Sequence, residues 1–171
     1  MERRLSSNYA MKVIGLILLV ALGMAQQVFA KAAFYGPEWM VAHAECVAIV
    51  NITRVQTNSA GVQGQSWTYR ETAQATVERV LKGQLPQEVT LYGGENFICA
   101  QVHYRPGRHL VFLKRDAQLL TVINWHLGNR PIAGERIEWF SEPGKNVFKL
   151  AATPLDAVIA EIRGQLARER E

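Results

Sequence analysis

Aspartate is scarce in this 171-residue chain: there are only two, Asp116 and Asp156. Both have local structural explanations, a turn and a helix start, so paired-aspartate chemistry has no residues to draw on. Cysteine is equally sparse, with Cys46 and Cys99 alone. That excludes a four-ligand thiolate metal site or a dense disulfide scaffold. No apolar run reaches the roughly 20 residues a bilayer-spanning helix needs. The four histidines, His43, His103, His109 and His126, lack both a helical His-x-x-x-His pair and zinc-finger spacing. His103 and His109 could converge across the turn YRPGR, but no Cys or Asp lies nearby to complete a metal site. No Gly-x-Ser-x-Gly frame surrounds Ser66 or Ser141. YGGEN (92–96) lacks the spacing and following helix that phosphate cradling requires. No cofactor site, metal site or catalytic constellation is expected.

What is present begins with VIGLILLVALGMA after Lys12, thirteen uncharged residues followed by QQVFA. Small or short side chains at Val28 and Ala30 complete the pattern of a secretory signal peptide over residues 1–30, cleaved before Lys31. The alternative is a retained membrane anchor, for which the run is short. Met11-Lys12 makes a more natural start than Met1, and with no Cys directly after the cleavage site a bacterial lipoprotein is not expected. The expected location is exported, periplasmic or extracellular. Removing Glu2, Arg3, Arg4 and Lys12 with the peptide lowers the formal charge from +4 to +2. The remaining basic residues are scattered among glutamates rather than gathered on one face, so a nucleic-acid partner is not expected. Cys46 and Cys99 then sit together in an oxidising compartment, where a pair in a small domain is most simply a disulfide. Closing that loop would stabilise the fold by roughly 3–4 kcal/mol in the chain-entropy model; two buried free thiols are the alternative.

Residues 31–171 read as one domain, without repeat, low-complexity segment or linker. KAAFYGP is an irregular lead-in and EWMVAHAE (38–45) a short helix. CVAIVNITRV (46–55) is a β-branched strand, apolar on both faces over its first half, as in a barrel or central strand. QTNSAGVQGQS (56–66) reads as a polar loop. From Trp67 the chain alternates, with Trp67, Tyr69, Ala73, Ala75 and Val77 on one face, and the phase slips near Glu78–Arg79, which predicts a β-bulge. In VLKGQLP, Gly83 can take a positive φ and Pro86 stops the strand, so the stretch marks a corner. Further strands are expected at 88–92, 109–114, 119–125 and 136–140, with SEPGKN leading to a C-terminal helix. That helix has Thr153 as N-cap, Pro154 at its first position and an apolar stripe of Leu155, Val158, Ile159, Ile162 and Leu166. Asn51-Ile52-Thr53 fits a glycosylation sequon but falls inside a predicted strand. The fold class is mainly β: a small closed or partly open antiparallel barrel with a short N-terminal helix and a C-terminal amphipathic helix, a two-sheet sandwich being the alternative.

The order of AECVAIVNITRV, VERVLKG, VTLYGGENFIC and PGRHLVFLKR resembles the netrin-like domain family, which includes tissue inhibitors of metalloproteinases, and more closely the bacterial secreted proteins related to it. The match covers roughly Glu38 to Trp125. It implies a five-stranded OB-like barrel with flanking helices. The animal inhibitors act through an N-terminal cysteine on the protease zinc, whereas this chain would begin Lys31-Ala32-Ala33 with its first cysteine at Cys46. The resemblance therefore carries a fold and no inhibitory residue. The expected function is a non-enzymatic exported binding module with a protein or peptide partner. It would use a barrel face, the segments 56–66 and 93–101, or exposed members of Trp39, Trp67, Trp125 and Trp139. The alternative is an envelope hydrolase or metal-dependent enzyme, which a histidine clustered with Glu95 in a pocket would favour.

Overall fold

The computed structural model describes residues 32–95 and 101–169. The element order is α1 (Pro37–His43), β1 (Cys46–Gln63), β2 (Thr68–Lys82), β3 (Glu88–Glu95), β4 (Gly107–Asp116), β5 (Leu119–Val122), a 3₁₀ turn (Trp125–Gly128), β6 (Asn129–Ala133), β7 (Arg136–Glu142), β8 (Asn146–Pro154) and α2 (Leu155–Arg168). The predicted signal peptide at 1–30 lies outside the described residues. Among the described residues no helix is long and apolar enough to cross a membrane.

The mainly β expectation holds. Eight strands form one sheet in the order β1-β2-β3-β5-β4-β6-β7-β8, and an additional β1–β4 pairing closes five of them into a ring. The β3–β5 contact is parallel and brief, Leu91 opposite Leu120 and Tyr92 opposite Thr121; the other pairings are antiparallel. The double-faced apolar run of β1 follows from this arrangement. Val47 and Ile49 pack outward with α1, α2 and β7, while Ala48, Val50 and Ile52 pack inside the ring with Ala73, Leu91 and Val111. β4 divides likewise, Leu110 and Phe112 outward, Val111 and Leu113 inward. A strand buried on both faces cannot show polar alternation.

The bulge falls where the phase slip places it. Ile49 pairs with Arg79 and Val50 with Val77, which leaves Glu78 as the extra residue. The LKG corner has a double role. Lys82 Nζ donates to the α1 carbonyls of Val41 (2.6 Å) and Ala42 (3.1 Å), so the end of β2 caps the C-terminus of α1. Gly83 has φ +73°, and a Cβ there would overlap the Glu45 carbonyl and lie 2.8 Å from Cys46 Sγ. In α2, Leu155, Val158, Ile159 and Ile162 are buried and Leu166 is partly buried against the same core.

Several expectations need correction. Residues 56–63 form the second half of β1, paired with β2 as a ribbon through Gln63–Thr68; antiparallel pairing satisfies a polar backbone as readily as an apolar one. Pro37 opens α1 rather than ending the lead-in. SEPGKN is the turn of a β7–β8 hairpin, and β8 runs to Pro154, so Thr153 is no helix cap. The hydroxyl of Thr153 donates to Ala151 O, and the first amide of α2, Leu155 N, donates to Glu135 O at 2.9 Å. The strand expected over 119–125 ends at Val122, for the backbone reason given below. Among the described residues there is no disulfide: the buried Cys46 thiol faces the Gln84 carbonyl at 3.4 Å, and its expected partner Cys99 lies outside those residues.

Candidate functional site

The site begins with a turn that needs an anion. In GQSW (64–67) the backbone curls so that Gly64 N donates to Trp67 O at 2.8 Å, leaving the amides of the turn pointing one way. Asp116, at the end of β4 and only 4% exposed, receives them. Its Oδ1 accepts from Gln65 N and Ser66 N, both at 2.9 Å, and its Oδ2 from Trp67 N at 3.3 Å and the Tyr69 hydroxyl at 2.8 Å. A Cβ on Gly64 would overlap the carboxylate. Burial raises the Asp116 pKa, but the Tyr69 and backbone donations outweigh it and hold it below the usual carboxylate range. Tyr69 is pushed the other way, first by burial and then by its bond to the Asp116 anion.

A second wall comes from the chain leaving β5. Asn124 and Trp125 both take left-handed backbone conformations, φ +57° and +56°, which ends the strand and starts the 3₁₀ turn. Asn tolerates this region, whereas for a bulky residue such as Trp it is strained. The turn closes against β5 because Gly128 has no side chain: a Cβ there would overlap Ile123 O. Asn124 also grips the lead-in, its Oδ1 accepting from Tyr35 N (3.0 Å) and its Nδ2 donating to Tyr35 O (2.8 Å). That two-point bond fixes Tyr35, which stacks on Trp39 of α1 with centroids 4.1 Å apart; Trp39 in turn stacks on His43 at 4.3 Å.

These pieces enclose a cleft of about 170 Å³. Tyr35, Trp39, Trp67 and Trp125 line it, with Lys114 and Asp116 from β4, Thr121 from β5 and Glu95 from β3. Trp67 and Trp125 meet edge to face at 5.5 Å. Three of the four tryptophans singled out in the sequence thus converge, each half-buried. Trp139 does not: it is a core residue, 2% exposed, with Nε1 donating to Glu161 Oε2 at 2.9 Å.

Glu95 is 3% exposed, and burial pushes its carboxyl upward; its Oε2 accepts from Val102 N at 3.2 Å. No histidine lines the cleft among the described residues. His103 is exposed, bridging Glu71 (3.2 Å) and Gln101 (2.9 Å). His109 is buried, with Nδ1 2.8 Å from Asn129 Oδ1 and Nε2 3.0 Å from Arg105 O. His126 packs on Phe34 at 5.4 Å. The rings of the two histidines considered for a metal therefore bond to different partners, and no cluster of three metal-ligating side chains occurs among the described residues. Of the segments expected to bind, 93–95 belongs to β3, 96–100 lies outside the described residues, and 64–67 supplies the anion-centred turn.

Asp116 is the residue that sequence reasoning passed over as a turn former. Its donors lie about fifty positions earlier, and only the Gly in GQSW hinted at a close approach. No protein-family model matches the chain, and no curated protein is significantly similar to it.

Proposed function

We propose that the chain is an exported, non-enzymatic binding module of netrin-like, OB-like character, and that a protein or peptide docks at the aromatic cleft. The carrying observation is the convergence of Tyr35, Trp39, Trp67 and Trp125 on one cleft whose carboxylate floor, Asp116, is already saturated by protein donors. The ring order β1-β2-β3-β5-β4, with its parallel β3–β5 closure, supports the OB-like reading. Function does not follow from fold, so the cleft carries the argument.

The test is site-specific photo-crosslinking of the full chain expressed for export. A benzophenone amino acid is placed at the exposed Ser66 beside the cleft or at the exposed Arg163 on α2. A discrete protein or peptide adduct from position 66 and none from 163 is the expected result. Equal capture from both, or from neither, overturns the reading. Glu95 favours a second reading, a hydrolase using a buried carboxyl whose proton affinity burial raises. It requires hydrolysis that Glu95→Gln abolishes without unfolding the protein.

A further inference from the structure

The cleft is small. At about 170 Å³ it matches the liquid volume of roughly six waters and falls below the roughly 300–1,000 Å³ of drug-sized sites. It has room for one ring or one side chain. Its walls are aromatic faces and edges brought from the lead-in, α1, the β1–β2 turn and the segment after β5. Its polar groups are largely committed: Asp116 holds the turn, Tyr69 donates to Asp116, and both amide atoms of Asn124 hold Tyr35. A sugar ring, with hydroxyls on every side, needs several polar groups free to answer it, and Asp116, Tyr69 and Asn124 are engaged in holding the walls. An apolar ring needs only the stacking faces.

One charged group on the cleft is different. Lys114, exposed on β4 two residues before Asp116, makes no ion pair among the described residues. Its neighbour Arg115 points to the other side of the strand and is paired with Glu45 at 3.3 Å. An unmatched ammonium beside an aromatic slot selects a carboxylate adjacent to the ring. The left-handed backbone at Trp125 adds a second indication: strain of this kind persists only where surrounding structure fixes it, and it clusters at ligand clamps.

From these observations we propose that the cleft accepts a single apolar ring side chain of a peptide, with a carboxylate next to that ring held by Lys114. The inference rests on the binding reading above and names the chemistry the partner presents. The probes are N-acetyl-tryptophan, its uncharged amide and methyl β-glucoside, titrated into the full exported chain while the four tryptophan indole N–H signals are followed by NMR. The signals of Trp39, Trp67 and Trp125 should move, and that of Trp139, buried and bonded to Glu161, should stay. The acid should bind more tightly than the amide by up to about fivefold at low salt, the value of one exposed ion pair. Lys114→Gln should erase that difference between acid and amide.

Equal affinity for acid and amide in the unsubstituted protein, movement with the glucoside alone, or no movement with any probe overturns the inference. Trp67→Phe, which keeps a ring in place, should weaken both probes and guards against a variant that misfolds. The two readings fail separately. Crosslinks from position 66 with silent indoles leave the binding module standing and remove the ring-and-carboxylate chemistry. Probe binding without crosslinks retains the slot and removes the macromolecular partner.

Discussion

Asp116→Asn tests whether an anion organises the cleft. The native carboxylate accepts three backbone amides and a phenol in a site that is 4% exposed. An asparagine side chain offers one acceptor oxygen in place of two and turns an NH₂ group toward donors. About two buried donors then lose their partner, at roughly 1–3 kcal/mol each, partly relieved where the Tyr69 hydroxyl rotates to accept. The expected destabilisation is about 2–4 kcal/mol, a large share of the roughly 5–15 kcal/mol of an ordinary domain but short of unfolding it at 25 °C. With a urea m-value of roughly 1–3 kcal/mol/M, the midpoint should fall by about 1–2 M with the slope unchanged. Hydrogen exchange supplies the local readout: the amides of Gln65, Ser66 and Trp67 should lose protection in the variant, while those of α2 change only with global stability. The pH dependence follows from the lowered pKa. A depressed folded-state pKa gives stability that is complete above the unfolded value of about 3.9 and is lost as pH falls through the folded value. The gap between native protein and variant should therefore be constant from neutral pH to about pH 5 and should narrow below about pH 4. A variant of native stability with all three amides still protected would refute the anion-centred turn.

Other consequences can be measured on the same protein. Burial holds His109 below its ordinary pKa, so its neutral form is favoured in the fold and stability should decline as pH drops below about 6.5. His109→Gln should flatten that decline in denaturation midpoints taken between pH 7 and 5. His126, lowered by burial and by Arg130, titrates in the same direction, so the difference between native and variant is the quantity to read. Gly83→Ala must place a side chain at φ +73° against Glu45 O and Cys46, and calorimetry should show a loss of at least about 2 kcal/mol. Lys82→Met keeps the aliphatic stem but removes two donations to the end of α1. About 1 kcal/mol should be lost, with faster hydrogen exchange confined to α1 and its contacts.

Much of the ring was legible because it rests on local signals. The apolar runs of β1 and β4 showed burial on two faces, the slip at Glu78–Arg79 showed the bulge, and Leu155, Val158, Ile159 and Ile162 showed the buried stripe of α2. The missed strands lack those signals. β6 carries a buried cation, Arg130, whose Nε (3.1 Å) and Nη2 (2.9 Å) both donate to Glu138 O, so a charged residue stands where a pattern expects an apolar one. β8 is a mostly exposed edge strand that buries little, and its residues alternate weakly. Glu71 shares the parity of Tyr69 and Ala73, a position reserved for core in a simple alternation. The structure uses it to accept from Tyr104 N and to meet His103.

The cleft was illegible for a related reason: its parts are polar or strained residues whose role appears only on long-range contact. Asp116 and Glu95 have carboxyls displaced in opposite directions, downward and upward, a contrast that in an enzyme separates base from acid. A general base, however, must offer a lone pair within hydrogen-bonding reach of the proton it removes. The Asp116 oxygens already accept from four protein groups, three of them amides that define the adjoining turn. Taking a substrate proton would cost that carboxylate its own donors and loosen the wall that carries Trp67. The anion is thus more valuable as a fixed strut than as a reactant. The Asp116 carboxylate, spent on holding its own turn, is thereby a poor general base in this cleft.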